Sequence, residues 1–357
     1  MQINKLTLEG FRNYRGQTLE FDPVCNVIHG ENAQGKTNLL EAMVYLSCGK
    51  SPRTRTEREL IAFDGGEARI IGEIYSRERE FITDITLRAG SRRKMTVNGV
   101  AAKNASELSE VLHTVFFSPE DLFLIREGAA ARRRFMDQSL CQLRPRYARA
   151  LAEYHRLYEH KTRILRDREE NPGLLAMLPD FNEGMCRMGA ILIHYRAQYC
   201  RALDAYAAPA HGDCSGGREK LKLRYETVKT VIDPFAKTED IAQNLRDHQE
   251  SHYHAELASG LCLSGPHKDD FDAAIGGVSV DPVLLCQAAE ALNAAKPLPR
   301  EAAELAAAAR CFGAAGCKLA VVELPDAGLA SALPNMPVCA VTAIGPDGVS
   351  RSVERLA

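Results

Sequence analysis

The segment Gly30-Glu-Asn-Ala-Gln-Gly-Lys-Thr37 constrains this chain more than any other. It follows a short apolar run, Val24 to Ile28, and opens an amphipathic stretch, Asn38 to Leu46. A glycine, four residues and then Gly-Lys-Thr is the spacing of a phosphate-binding loop set between a strand and a helix. Gly30, Glu31, Asn32, Ala33, Gln34 and Gly35 form a nest of backbone N–H donors, and the helix that follows adds the partial positive charge of its first turn. Lys36 reaches the outer phosphates of a nucleoside triphosphate, and the Thr37 hydroxyl is placed to ligate Mg²⁺ through that nucleotide.

The loop alone serves motors, kinases, transporters and genome-maintenance proteins, so its neighbours must choose. Ile3, Leu6 and Leu8 alternate among polar residues like a half-buried strand, and Phe11-Arg-Asn-Tyr-Arg15 closes that strand with aromatic and cationic side chains. Further on come Phe116-Phe-Ser-Pro-Glu-Asp-Leu122, Arg132-Arg-Arg-Phe-Met-Asp137 and Ser264-Gly-Pro-His-Lys-Asp-Asp270. Ser118 is suited to cap a helix that has Pro119 in its first position and Glu120 and Asp121 complementing the dipole. With the loop variant Gly-Glu-Asn-Ala-Gln-Gly-Lys-Thr-Asn, these blocks, in this order, closely resemble the RecF family of bacterial DNA replication and repair proteins, relatives of the SMC and Rad50 heads. The resemblance runs from residue 1 to about residue 277.

The chain of 357 residues is 45% apolar, enough to bury a large core, and its length suggests about two domains. A net charge of −2 says little about nucleic acid, because binding depends on where charge is placed. The local clusters are Arg92-Arg93-Lys94, ahead of a hairpin turn expected at Asn98-Gly99, then Arg132-Arg133-Arg134, then Arg144, Arg146 and Arg149. The resemblance makes Arg92, Arg93, Lys94, Arg132, Arg133 and Arg134 the candidate DNA contacts. Eleven cysteines are scattered with no Cys-x-x-Cys pair, so neither a zinc site nor a disulfide framework is expected. There is no charged-then-apolar leader and no apolar run near 18 residues, and the expectation is a cytoplasmic protein outside the membrane.

Between Arg144 and Glu170 the positions Leu151, Tyr154, Leu157, Tyr158, Ile164 and Leu165 recur at helical spacing until Asn171-Pro-Gly173 interrupts them, and a second helix is expected from Leu174 to Ala207. The two should form an antiparallel arm, which the resemblance equates with a shortened SMC coiled coil. Leu221 to Val228 alternates like a strand, and Asp240 to Leu257 returns to a helix. The expected fold is α/β: a P-loop NTPase head of the ABC/SMC type with an inserted antiparallel helical arm and an atypical C-terminal α/β tail. Its divisions are 1–139 (head with the loop), 140–215 (arm), 216–280 (return to the head) and 281–357 (tail). His267, Asp269 and Asp270 lack a third ligand in sequence and read as structural or phosphate-adjacent rather than as a metal site.

After Gly277 the chain departs from the family, which there supplies a Ser-x-Gly-Gln signature loop and an apolar strand ending in Asp-Asp. Neither occurs between Val278 and Ala357. The nearest stand-in is Lys318-Leu-Ala-Val-Val-Glu-Leu-Pro-Asp326, which also reads as an ordinary buried strand with Glu323 at its end. The tail itself weakly resembles an internal piece of folylpolyglutamate synthase over Gly316–Glu323 and Val338–Gly345. That ligase's nucleotide loop and its Gly-Gly-Arg-Leu-Asp segment are absent, so none of its activity carries over.

The RecF resemblance implies ATP and Mg²⁺ as cofactors and an ATP-dependent homodimer. It implies binding to single-stranded or gapped DNA and to junctions of single with double strand. It implies action with RecO and RecR to load recombinase, in replication, recombinational repair and the SOS response. The missing signature and acidic strand predict weak hydrolysis, with no catalytic residue assigned. Two other readings stay open: a non-cycling nucleotide-binding scaffold or degenerate gene-fusion product, and a metabolic P-loop enzyme.

Overall fold

The computed structural model describes residues 1–118, 121, 124, 125, 127–279, 320–323, 339–345 and 348–354. The chain divides into two compact units, Met1–Phe117 with Pro297–Ala357, and Ser118–Lys296. In the first unit the elements are β1 (Gln2–Phe11), β2 (Tyr14–Glu20), β3 (Cys25–His29), α1 (Lys36–Cys48), β4 (Glu67–Ser76), β5 (Arg79–Arg88), β6 (Lys94–Val97), β7 (Val100–Ala101) and α2 (Ser106–Val111). The second holds α3 (Ala129–Leu143), α4 (Pro145–Arg166), α5 (Leu178–Ser215), β8 (Leu221–Glu226), α6 (Thr238–Ser259), β9 (Asp270–Ile275) and β10 (Val278–Ser279). The tail returns to the first unit with β11 (Ala320–Glu323), β12 (Cys339–Gly345) and β13 (Gly348–Glu354).

Among the described residues the first unit has two sheets. One is antiparallel in the order β2-β1-β4-β5-β6-β7. Ile3, Leu6 and Leu8 of β1 all reach its core, although an odd and an even position should face opposite ways. A register shift between Ile3 and Lys5 resolves the conflict by advancing the strand one residue. The expected hairpin turn is present, with Asn98 at φ +50° and Gly99 at +77°, the signs a two-residue type I′ turn demands. Helix α1 lays Leu39, Ala42, Met43 and Leu46 on this sheet. Gly72 of β4 allows the approach, since a Cβ there would stand 2.7 Å from Leu46 Cδ1.

The other sheet has the order β11-β3-β12-β13, with β11 and β12 both parallel to β3. Residues Cys25 to Ile28 of β3 are entirely buried, the pattern of a central strand covered on both faces. Its neighbours on both edges, among the described residues, come from the tail. The strands expected around Lys318–Glu323 and Val338–Gly345 are therefore the ones that flank the strand entering the phosphate-binding loop.

The second unit is larger than the arm expected over residues 140–215, because α3, α6 and the sheet β10-β9-β8 belong to it. Helices α4 and α5 run antiparallel: Leu157 of α4 meets Gly184 early in α5, whereas Tyr147 meets Tyr195 further along. Leu151, Tyr154, Leu157, Ile164 and Leu165 are buried there as their spacing predicts. Helix α5 continues through Pro209 to Ser215, past the expected end at Ala207; a proline forfeits one helical hydrogen bond there without stopping the chain. Cys25, Cys48, Cys141, Cys186, Cys200, Cys214 and Cys262 are outside any disulfide, and Cys25, Cys186, Cys200 and Cys262 are buried.

Polar groups lock this unit internally. Arg196 is 3% exposed and donates to both oxygens of Asp137, to Tyr147 Oη and to the Pro266 carbonyl at 2.7 Å, with Asp269 3.4 Å away. Asp269 in turn accepts from Tyr225 and from Thr227 Oγ1. Lys161 and Glu256, also buried, form a 2.6 Å ion pair, and Glu256 Oε1 accepts the backbone N–H groups of Leu263 and Ser264.

Two outcomes follow from this architecture. Deleting residues 280–357 strips β3 of both ladders, so the shortened chain should be recovered in the insoluble fraction, and a soluble, cooperatively unfolding product would contradict that dependence. Replacing Arg196 by Leu leaves two carboxylates without their buried cation and should cost about 3–5 kcal/mol, read as a lower urea midpoint; an unchanged midpoint would show that the network adds nothing.

Candidate nucleotide-binding site

Strand β3 ends at His29 and α1 begins at Lys36, so the six residues between them form the loop that the spacing predicts. Gly30 (φ +148°), Ala33 (+66°) and Gly35 (+101°) take the left-handed or mirror-extended backbone needed to turn successive N–H groups the same way. Gly35 has a second reason to lack a side chain, because a Cβ there would collide with the Asn13 amide. Lys36 is 5% exposed and its ammonium donates to the carbonyls of Gly30 (3.0 Å) and Glu31 (2.9 Å). The cation is thus held inside the loop. Thr37 follows in the first turn of α1.

The loop is braced by the turn between β1 and β2. Asn13 Nδ2 donates to the Gln34 carbonyl at 2.9 Å and Tyr14 Oη to the Gly35 carbonyl at 3.1 Å. Asn38 Nδ2 donates to Asn13 Oδ1 at 2.8 Å, which ties the same asparagine to α1. Arg12 makes a bidentate pair with Glu41, a fully buried carboxylate of α1, with both bonds 2.9 Å long. Ser51 donates to the same carboxylate, and Arg53 lies 3.6 Å from it while donating to Asn38 Oδ1. Sequence reasoning noted Phe11–Arg15 as aromatic and cationic but missed the roles of Arg12, Asn13 and Tyr14. Nothing in their spacing shows that they fold back on a loop some twenty residues later. The acid at Glu41, on the otherwise apolar face of α1, was the available signal, since a buried carboxylate requires a cation.

The basic candidates sort by what engages them. Arg93 donates to Tyr45 Oη, the Gly49 carbonyl and Glu57, and so pins the C-terminal end of α1. Arg132 pairs with Asp270 through two 2.7 Å bonds and donates to the Ile125 carbonyl, while Arg133 donates to the Asp269 carbonyl. These three have internal work. Arg92 and Lys94 are exposed with no ion pair among the described residues, and exposed Arg134 stands 3.6 Å from Glu127.

The Ser264–Asp270 block is built as a buckle. Tyr154 Oη donates to His267 Nδ1 at 2.8 Å, and His267 Nε2–H donates to the Cys262 carbonyl at 3.1 Å, which fixes a neutral tautomer. Burial pushes the imidazole down to about 4, and burial raises the Asp269 carboxyl. Both ring nitrogens of His267 and both carboxylate oxygens of Asp269 have protein partners, while the buried Ser264 hydroxyl has none. No group of three His, Cys, Asp or Glu placed to hold a metal exists among the described residues.

Of the expected helix after Ser118, Pro119, Glu120 and Leu122 lie outside the described residues; Ser118 N–H and Oγ both donate to Asp121 Oδ2. Lys318, Leu319 and Leu324 to Asp326 also lie outside them, but β11 places Glu323 in register with Ile28. The backbone of that acid is therefore at the edge of the sheet from which the phosphate loop departs, where parallel α/β sheets bind ligands. Among the described residues no helix is long and apolar enough to cross a membrane.

Comparison with known proteins agrees with this geometry. A family model described as an AAA domain matches residues 5–171. The DNA replication and repair protein RecF of Agathobacter rectalis is 35% identical over 282 residues, 78% of this chain and 74% of that protein. RecF of Listeria innocua is 36% identical over 287 residues, again 78% of this chain and 75% of its own. Among solved structures, the recombination mediator protein RecF with ATP, of the RecFOR pathway, superposes with a TM-score of 0.82 at 24% identity over 98% of this chain and 97% of that one. An Smc head domain from Pyrococcus furiosus gives a TM-score of 0.50 at 15% identity over 99% and 96%. A braced phosphate-binding loop, a head fold shared with the Smc heads and identity above 30% over most of its length place this chain in the RecF family of DNA replication and repair proteins.

Proposed function

We propose that this chain is an ATP-dependent DNA-binding protein of replication and recombinational repair, acting in the cytoplasm on single-stranded or gapped DNA and on junctions between single and double strands. The observation that carries this reading is the braced loop of a RecF-family chain. Its backbone N–H groups donate to phosphate oxygens, Lys36 supplies the neighbouring cation, and the Thr37 hydroxyl takes a nucleotide-bound Mg²⁺. The loop residues fit the group, since Gly30, Ala33 and Gly35 take positive backbone dihedrals and Lys36 is buried beside them. When bound, Mg²⁺-ATP supplies the charge that joins two heads and the phosphoanhydride whose cleavage would part them. Asn13, Tyr14 and the Arg12–Glu41 pair hold the loop in its binding shape.

DNA would meet the exposed cations Arg92 and Lys94 of the first unit, beside the internally held Arg93, and Arg134 of the second, beside the internally held Arg132 and Arg133. Partnership with RecO and RecR, recombinase loading and a part in the SOS response follow from the family relation. Hydrolysis should be weak, because residues 278–357 carry neither a Ser-x-Gly-Gln signature nor an Asp-Asp pair. The register of Glu323 beside Ile28 favours one specific alternative, in which that single acid serves the hydrolytic step.

Nucleotide titration of the full chain tests the reading directly. Lys36→Ala should weaken ATP binding at least tenfold, and Asn13→Ala should weaken it less, with the unfolding midpoint of each variant near that of the wild type. Equal affinity in wild type and Lys36→Ala would refute the site. Steady-state turnover with single-stranded DNA should stay far below the roughly 1–100 s⁻¹ typical of kinases. Brisk turnover abolished by Glu323→Gln would establish the single-acid alternative instead.

A further inference from the structure

A cavity of about 570 Å³ opens in the first unit at the base of the β6–β7 hairpin, lined by Arg92, Arg93, Met95, Lys103 and Asn104, with Glu57 to one side. The tight Asn98–Gly99 turn creates it. Ala101 lies opposite Thr96 and the Ala102 N–H donates to the Met95 carbonyl at 2.9 Å, so residues 92–95 and 102–105 are brought together from the two ends of the hairpin. Three cations and one carboxylate share this space. Glu57 is already paired with Arg93 at 2.6 Å, which leaves Arg92 and Lys103 exposed and without an ion pair among the described residues. Among the described residues Lys103 uses only its backbone N–H, on Glu107 Oε1.

Two unneutralised cations on one cavity repel each other, and an anion between them removes that cost. The cavity is much larger than a single phosphate, and Met95, Ala102 and Ala105 give it apolar surface beside the charges. That combination suits a sugar-phosphate segment. The position adds significance: Arg93 binds the Gly49 carbonyl, so the cavity adjoins the C-terminal end of α1, the helix whose N-terminal end forms the phosphate loop.

We propose that this cavity is a docking site for a phosphodiester of the nucleic-acid backbone, clasped by Arg92 and Lys103 and framed by the neutralised Arg93–Glu57 pair. The inference rests on the DNA-binding reading above and assigns Lys103 a contact that the sequence clusters did not suggest. No base is read there, so the contribution is independent of sequence and sensitive to salt.

The test uses the full chain with ATP, a fluorescent single-stranded oligonucleotide and a gapped duplex, titrated over a salt series. The double variant Arg92→Gln/Lys103→Gln should lose about 10–30-fold in affinity near 0.1 M salt, and the salt slope should fall by about one to two phosphate contacts. ATP affinity should not change. A control, Lys220→Gln/Lys237→Gln, removes two exposed cations from the second unit and should leave both quantities in place. Wild-type DNA binding that survives the cavity variant unchanged, or that falls equally in the control, overturns the proposal while the DNA-binding reading stands. Failure of the wild type to bind either DNA overturns both. Inorganic phosphate and deoxyadenosine monophosphate provide the remaining arm: saturable wild-type binding of either, lost in the cavity variant whose DNA affinity is intact, would make the site one for a free anion and overturn the backbone assignment.

Discussion

Everything at the nucleotide site depends on one buried strand having ladder partners on both sides. Strand β3 delivers the chain into the phosphate loop, and its first four residues are wholly removed from water. Backbone N–H and C=O groups buried without partners cost free energy comparable to a lost hydrogen bond each. The strand therefore cannot stand in the interior unless β11 and β12 lie beside it, and both come from the tail. The tail carries neither a Ser-x-Gly-Gln loop nor an Asp-Asp pair, yet it supplies the strands on either side of the one that enters the loop.

A second layer of constraint fixes the loop itself. A phosphate nest requires backbone dihedrals that ordinary residues avoid, and such a conformation persists only where its surroundings over-determine it. Here the β1–β2 turn does so, with Asn13 and Tyr14 on the loop carbonyls and Arg12 on the buried Glu41. The same logic organises the second unit, where Arg196 gathers Asp137, Asp269 and the Pro266 carbonyl from separate elements. In both places a single buried charge binds together segments that are distant in the chain.

Charge at the surface behaves differently. Of the six arginines and lysines that form the Arg92–Lys94 and Arg132–Arg134 runs, three are committed to internal partners, and only geometry separates them from the others. A run of basic residues in sequence mixes the two kinds because neighbouring side chains on a strand or helix face different ways. Arg92 and Arg93 show it most plainly, since one is exposed and the other braces α1. Lys103, outside any basic run, joins Arg92 only because a hairpin folds it back.

Local chemistry was legible from the chain alone. The phosphate loop, the Asn98–Gly99 turn, the apolar spacing of α4 and the order of the family blocks all depend on residues within a few positions of one another, where backbone preference and periodicity act directly. What the tertiary structure decided is everything that joins distant positions. The Ile3/Lys5 register shift, the Asn13 brace, the extent of the second unit and the placement of tail strands on either side of β3 each arise from contacts over tens to hundreds of residues. Spacing carries no record of such contacts, because burial and hydrogen-bond satisfaction select them only after the chain has folded on itself.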